Sequence, residues 1–453
     1  MVFDPRDLSL WKTGEAAAIP LQIHPLQHWP DGSCQWALLD FLVSAAPRET
    51  VEIRLSHGAS PGAPEPMRLV KEERQWTVDT GAARFDIPLD RFAPFRRIKI
   101  GGRSILGEAG ALCFLEGARD GEVFFPWIWD AGVECRGPVR TTLNLTGWFA
   151  SEEGSVPATF AARLHFYAKQ SICQVDFAIV NPRAAHHHEG LWDLGDPASF
   201  LFQDLSLHIP MPRLVVGNSF QFRFRETPFD GFQRAEGNAH SFFRIHQESS
   251  GGKNWRSPVH VNREGEIPLL FQGYRVFQNS EPISEGRRAN PFVGWESEAG
   301  SAGVGVRHFW QNFPKALVLD SKGITVGLFP RRHGDLHELQ GGERKTHSVF
   351  FHFFKKEITE NALRWMESPL VPTLPPEWYE KTKVFPYFSA SKADPDSFFG
   401  QIIQTAVEGK NSFFQRRERV DEYGWRNFGE LYADHESVNH TGNSICLPLQ
   451  QSV

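Results

Sequence analysis

Asp421-Glu422-Tyr423-Gly424-Trp425-Arg426-Asn427-Phe428-Gly429-Glu430-Leu431-Tyr432-Ala433-Asp434-His435-Glu436 crowds aromatic, guanidinium, amide, imidazole and carboxylate side chains into one short stretch. Gly424 and Gly429 interrupt it, so its aromatics do not form one apolar helix stripe. Flat rings beside Arg426, Asn427 and His435 can stack on a sugar and bond its hydroxyls. Taken alone, the stretch reads equally well as a corner between two helices whose polar groups satisfy one another.

Working back from it, Asp394-Pro395 signals a helix start, an N-cap followed by proline at the first helical position. Phe398, Phe399, Ile402, Ile403 and Ala406 then recur as an amphipathic helix. Pro369, Pro372, Pro375 and Pro376 make a stiff connector, and the spacing of Ile358, Ala362, Leu363 and Met366 predicts a short helix over 356–366. Before that the period changes to two. Ala162, Leu164, Phe166 and Ala168 alternate with polar neighbours, as do Cys173, Val175, Phe177 and Ile179, then Phe222 and Phe224. Such strands, punctuated by Gly and Pro, predict antiparallel sheets stacked as a β-sandwich. Residues 59–66 are a Pro/Ala/Gly linker. Ahead of it, His28-Trp29-Pro30-Asp31-Gly32-Ser33 is a turn, and Cys34, Trp36 and Leu38 alternate as a half-buried strand, with another strand at Val51 to Leu55. The class is mainly β with a helical end.

With 453 residues there is material for two or three domains. A net charge of −6 without blocks of like charge gives no footprint for nucleic acid. The first residues lack a basic region followed by an apolar run, and no segment reaches the roughly 20 apolar residues that span a bilayer. Cys34, Cys113, Cys135, Cys173 and Cys446 are odd in number and scattered, which suits free thiols in a reducing compartment. A cytoplasmic setting follows, in which the sequons at Asn144 and Asn439 are chance matches.

Three further clusters could carry chemistry. His186-His187-His188-Glu189-Gly190-Leu191-Trp192-Asp193 is rich in ionisable groups, but adjacent residues on an extended chain face opposite ways, so no metal site is expected there. Arg307-His308-Phe309-Trp310-Gln311-Asn312-Phe313-Pro314-Lys315 and Gln340-Gly341-Gly342-Glu343-Arg344-Lys345-Thr346-His347 supply what an acidic sugar needs. Arg and Lys suit a carboxylate, Asn and Gln suit hydroxyls, and His can move a proton. Each block reads as well as a strand-end turn with solvated charges.

Tyr423 to Gly429 with Leu431 to Glu436 resembles the segment that opens the α/α-toroid domain of YetA-like proteins, a family that includes the exo-acting rhamnogalacturonan lyases of polysaccharide lyase family 26. The blocks at 29–41, 186–197, 307–315 and 340–347 resemble the same family in the same order. The resemblance implies a RIFT-type β-barrel over 1–60, a central β-sandwich over 68–378 and an α/α toroid beginning at 392. It implies a β-elimination on uronic-acid-containing pectic polysaccharide, with an acidic oligosaccharide or polysaccharide as partner; no cofactor, metal, nucleic acid or membrane is expected. By residue type within the matching blocks, Arg307 and Arg426 are expected to neutralise the substrate carboxylate. His308, His347 or His435 would be base, and Tyr423 or Tyr432 acid. Substrate contacts are expected from His188, Trp192, Asp193, Asn312, Lys315, Lys345, Trp425, Asn427, Tyr432 and Glu436. A hydrolase using a carboxylate pair among Asp421, Glu422, Asp434 and Glu436, or a sugar-binding module without catalysis, are the alternatives. The residues after Asp394 are too few for a ring of about twelve helices at roughly 11 residues each. The toroid over 392–453 is therefore expected to be incomplete and turnover to be low.

Overall fold

The computed structural model describes residues 7–46, 48–58, 65–186, 194–212, 220–331, 335–385, 390 and 396–429. Most of the molecule is a network of seventeen hydrogen-bonded antiparallel strands folded into two layers. In one layer the order is Val123–Arg136, Arg140–Ala150, Ala158–Tyr167, Ile172–Val180, Arg344–Phe354, Gly300–Val306, Phe292–Ser297, Phe220–Arg225 and Gln233–Gly237. The other runs Leu112–Gly117, Phe200–Pro210, Gly323–Phe329, Lys315–Asp320, Phe242–Gln247, Tyr274–Gln278 and Glu281–Gly286. His337–Leu339 joins the second layer beside Phe200–Phe202. Val123–Arg136 stitches the layers together. Its Phe124 pairs with Leu115 of one layer, while from Phe125 onward it pairs with Ala150 of the other.

Alternation decides which side chains meet between the layers. Leu143, Leu145, Leu164, Phe166, Val175 and Phe177 from one layer share a single buried cluster with Leu205, Leu207, Leu317 and Val326 from the other. A separate five-stranded sheet over 68–104 adds Val78, Phe85, Ile87 and Ile98 to the same cluster, Phe85 lying 5.0 Å from Phe166. The expected sandwich over the central region is thus present as large antiparallel sheets.

Two expectations change. No helix forms over 356–366. Only a 3-10 turn spans Arg364–Met366, and Leu363 takes a left-handed φ of 54°. Ile358, Ala362, Leu363 and Met366 are buried all the same, packed on Phe292, Phe350 and Phe354 along the far face of the sheet. Apolar spacing there reports contact with a flat sheet rather than a helical stripe. Second, residues 7–58 hold a three-stranded sheet (Ala18–Ile19, Leu8–Lys12, Ile53–His57) and a separate hairpin of Gln22–His28 with Cys34–Asp40, without a closed barrel among the described residues. The turn at 29–33 forms as expected, closed by Trp29 N donating to Ser33 O at 2.8 Å. The strand after it, however, leaves Trp36 at 39% and Leu38 at 42% exposure, because the hairpin is two strands wide and presents that face outward. The helical end comprises α1 (Pro376–Thr382), α2 (Phe398–Val407), α3 (Phe413–Val420) and α4 (Gly424–Asn427), with no ring among the described residues, where no closed ring is expected. Asp394 and Pro395 lie outside the described residues, and α2 is capped by Ser397, whose hydroxyl accepts from Gly400 N. Cys34, Cys113, Cys135 and Cys173 are free thiols, three of them buried. No described helix is long and apolar enough to cross a membrane.

Candidate functional site

The 418–429 segment is bolted to one end of the sandwich by buried polar contacts. Glu418 accepts two bonds from Arg288 Nη2, at 3.0 and 2.7 Å, and one from the Tyr423 hydroxyl at 2.5 Å. The Arg288 guanidinium in turn lies over the Trp310 ring at 4.1 Å. Asp421 is fully buried at the C-cap of α3 with φ 57°, where Ser250 Oγ donates to Oδ1 at 2.5 Å and His260 Nε2 meets Oδ2 at 2.8 Å. Main-chain bonds complete the join, with Gly424 N donating to Gln311 O and Trp425 N to Phe313 O. Gly424 has to be glycine. Its φ is 92°, and a Cβ would lie 3.2 Å from the Phe313 ring.

Between this segment and the sandwich lies a cleft of about 80 Å³. Trp425, Arg426 and Asn427 form one wall, and His260, Arg263 and Glu338 face them. Arg426 is tethered by Nη2 donating to Glu338 O at 2.7 Å and by Glu343 at 3.4 Å. Trp425 sets its ring edge-on to Phe329 at 5.0 Å. His260 is the feature that sequence reasoning missed. Among the described residues, its Nδ1 has no hydrogen-bond partner, while Nε2 is committed to Asp421.

Beside α4, basic side chains from the two central blocks gather. Lys345 Nζ donates to Phe428 O at 3.4 Å, and the exposed His308 ring lies 5.2 Å from the Phe428 ring. Arg307 sits over Phe350 at 4.9 Å. Desolvation, followed by Arg307 and Lys345, holds the His308 imidazole below its ordinary value, so it is uncharged at neutral pH. Behind Lys345 the cluster continues into the core. His347 and Lys315 are sealed there, and burial drives both well below their ordinary values, with neighbouring cations adding to the shift.

This placement sorts the candidate residues. His308, Lys345, Trp425, Arg426 and Asn427 come together around 424–428, whereas Arg307 is turned onto Phe350 of the cluster that holds Ile358 and Met366, away from the cleft lining. Four others are corrected. His347 is only 3% exposed, packed edge-on to Phe329, with a sealed and unpartnered Nε2. Lys315 is fully buried, donating to Leu328 O at 2.6 Å, and Asn312 spends its amide on His308 O. Tyr423 is buried with its hydroxyl on Glu418, and burial followed by that carboxylate raises its pKa, so it is a strut rather than a proton donor to substrate. Asp421 and Glu422 are likewise buried, which removes them from a hydrolytic carboxylate pair. His188, Trp192, Asp193, Tyr432, Asp434, His435 and Glu436 lie outside the described residues.

One group has metal-ligand character. His24, Asp40 and Cys135 bring their donor atoms within 4.8 Å of one another, where the N-terminal hairpin meets the sandwich. The Gln22 amide nitrogen stands among them, 2.8 Å from Cys135 Sγ, 2.9 Å from His24 Nε2 and 3.5 Å from Asp40 Oδ2. Two backbone N–H groups, of Val139 and Arg140, pin the amide oxygen, and Arg140 engages both Asp40 oxygens at 3.0 Å. The donors are satisfied by a fixed amide and a guanidinium, so the group is a hydrogen-bonded junction and does not fit a cation.

No family model and no curated protein matches the chain. Among solved structures, the chain is similar to a GH36 alpha-galactosidase from Geobacillus stearothermophilus, at 8% identity and TM-score 0.38, over 64% of this chain and 41% of that one. It is similar to a protein in the Glycosyl Hydrolase Family 38 from Enterococcus faecalis, at 10% identity and TM-score 0.39, over 78% and 39%. A galactose mutarotase related enzyme from Lactobacillus acidophilus matches at 11% identity and TM-score 0.31, over 65% and 98%. The chain thus spans about two fifths of the two glycosidases, and no function is read from likenesses this distant.

Proposed function

We propose that the chain binds uronate-containing saccharides at the 421–429 cleft and acts on them by β-elimination, as in the polysaccharide lyase family its sequence resembles. The observation that carries this reading is the seating of 421–429 between the 307–315 and 337–345 stretches. It gathers an aromatic ring (Trp425), an amide (Asn427) and two cations (Arg426, Lys345) around 424–428. A C5 proton of a uronate becomes acidic only when the adjacent carboxylate is neutralised, and a guanidinium or ammonium does this without moving a proton. Trp425 offers a ring face for the sugar and Asn427 a donor and an acceptor for its hydroxyls.

Binding without turnover is the second reading, favoured by Tyr423 and His347, whose polar atoms are committed or sealed. The test is titration calorimetry with an oligogalacturonate and with its carboxyl-reduced, neutral counterpart, followed by assay for unsaturated product. The proposal expects the acidic sugar to bind at least tenfold tighter than the neutral one, and Arg426→Ala to erase that preference. Equal affinities for the two sugars would overturn it.

A further inference from the structure

We infer that His260, held by Asp421, is the proton-transfer residue of this cleft. The inference rests on the elimination reading above and adds to it a base drawn from a stretch that carries no recognisable motif.

The geometry is that of an oriented imidazole. His260 ends a short 3-10 turn, Pro258–His260, and its ring stands edge-on to Phe313 at 5.3 Å, which fixes the plane. Nε2 is 2.8 Å from Asp421 Oδ2. An ionised carboxylate only accepts hydrogen bonds, so Nε2 carries the hydrogen and Nδ1 holds the lone pair. The ring lines the cleft together with Trp425, Arg426 and Asn427, and among the described residues Nδ1 makes no hydrogen bond.

Asp421 is placed to stabilise the charge that appears when Nδ1 takes up a proton. It is fully buried, its Oδ1 accepts only the neutral Ser250 hydroxyl, and among the described residues no Arg or Lys forms an ion pair with it. Among the described residues His260 is the one ionisable group paired with it, the Arg288 guanidinium nearby being bonded to Glu418. The His246–Glu248 pair, also at 2.8 Å, lacks the second feature of His260, a place in the lining of this cleft. Gly252 keeps the carboxylate in register, because a Cβ there would come 2.8 Å from Oδ1. Asp421 and Ser250 are positioning residues, and His260 is the catalytic one.

In the elimination, Nδ1 takes the C5 proton of the uronate and the C5–H electron pair forms the C4–C5 double bond. The C4–O bond breaks, its electrons leave with the oxygen, and water protonates that oxygen. The hydroxide left behind takes the proton from Nδ1, which returns His260 to its neutral tautomer. Arg426 on the facing wall holds the carboxylate that makes C5 acidic.

The test uses the full chain and a uronate oligosaccharide, read by absorbance of the unsaturated product. His260→Ala is expected to lower kcat by about 10²- to 10⁴-fold with KM within a few-fold, and added imidazole to restore part of the rate. Asp421→Asn, which leaves the carboxylate position but reverses the tautomer preference, should lower kcat without rescue by imidazole. His260→Gln, of similar size, guards against a folding defect, with circular dichroism as the check. A wild-type rate in His260→Ala or His260→Gln overturns the inference alone. So does a loss that imidazole fails to rescue and that falls on KM. Absence of unsaturated product from the unaltered chain overturns the elimination reading and this inference together.

Discussion

Lys315 and Glu367 show how burial sets charge in this protein, with opposite signs. Lys315 is sealed beside backbone carbonyls, and burial followed by Lys345 holds its folded-state pKa well below 10.5. The unfolded chain then binds more protons than the folded one up to pH 10.5. Stability therefore rises with pH on the alkaline side, by at most about 1.4 kcal/mol per unit, and Lys315→Met should remove that slope. Thermal melts of the pair between pH 8 and about 10.5 check this, and parallel slopes contradict it. Glu367 is raised to about 7 by burial, with Arg307 opposing. Its penalty is absent below the ordinary carboxylate value and complete above about pH 7. Glu367→Gln should therefore stabilise the protein by on the order of 2 kcal/mol at pH 8 and not at pH 4. A gain of equal size at both pH values would refute the assignment. At this scale the sequence is a partial guide. Arg426, Trp425 and Asn427 were readable because aromatic, guanidinium and amide groups sat side by side. His260 was not, since its partner lies 161 residues away and a lone histidine in Val259-His260-Val261 carries no signal.

Among the elements, the short α4 matters most, because a single backbone conformation at its start holds the cleft wall in place. Gly424→Ala puts a Cβ at φ 92° against Phe313 and should cost about 1–3 kcal/mol. Amide hydrogen exchange should quicken over 418–428 while the Arg344–Phe354 strand keeps its protection. Unchanged exchange in 418–428 would show that the glycine is dispensable. Strands were legible from alternation because each face of a sheet meets either core or water. The 356–366 stretch misled because buried turns lying on a sheet reproduce apolar spacings of three and four. Trp36 and Leu38 misled for the opposite reason, since alternation names two faces without saying which one a narrow hairpin turns inward.

Across the whole molecule, the sandwich supplies the rigid platform and the helical end supplies one wall of the cleft. That end leaves Phe398 at 76%, Phe399 at 73% and Val407 at 71% exposure, with Phe413 and Phe414 exposed nearby. Exposed apolar side chains in such number favour association. Sedimentation should show concentration-dependent self-association that the double substitution Phe398→Ser, Phe399→Ser weakens, and a wild-type chain that stays monomeric at high concentration would count against it. The central claim concerns chemistry at the cleft, and mass analysis of products tests it most directly. Incubated with a rhamnogalacturonan oligosaccharide, the chain should release, slowly, a fragment lighter by one water than its hydrolytic counterpart and absorbing as an unsaturated uronate. Saturated fragments of the full hydrolytic mass would contradict the account.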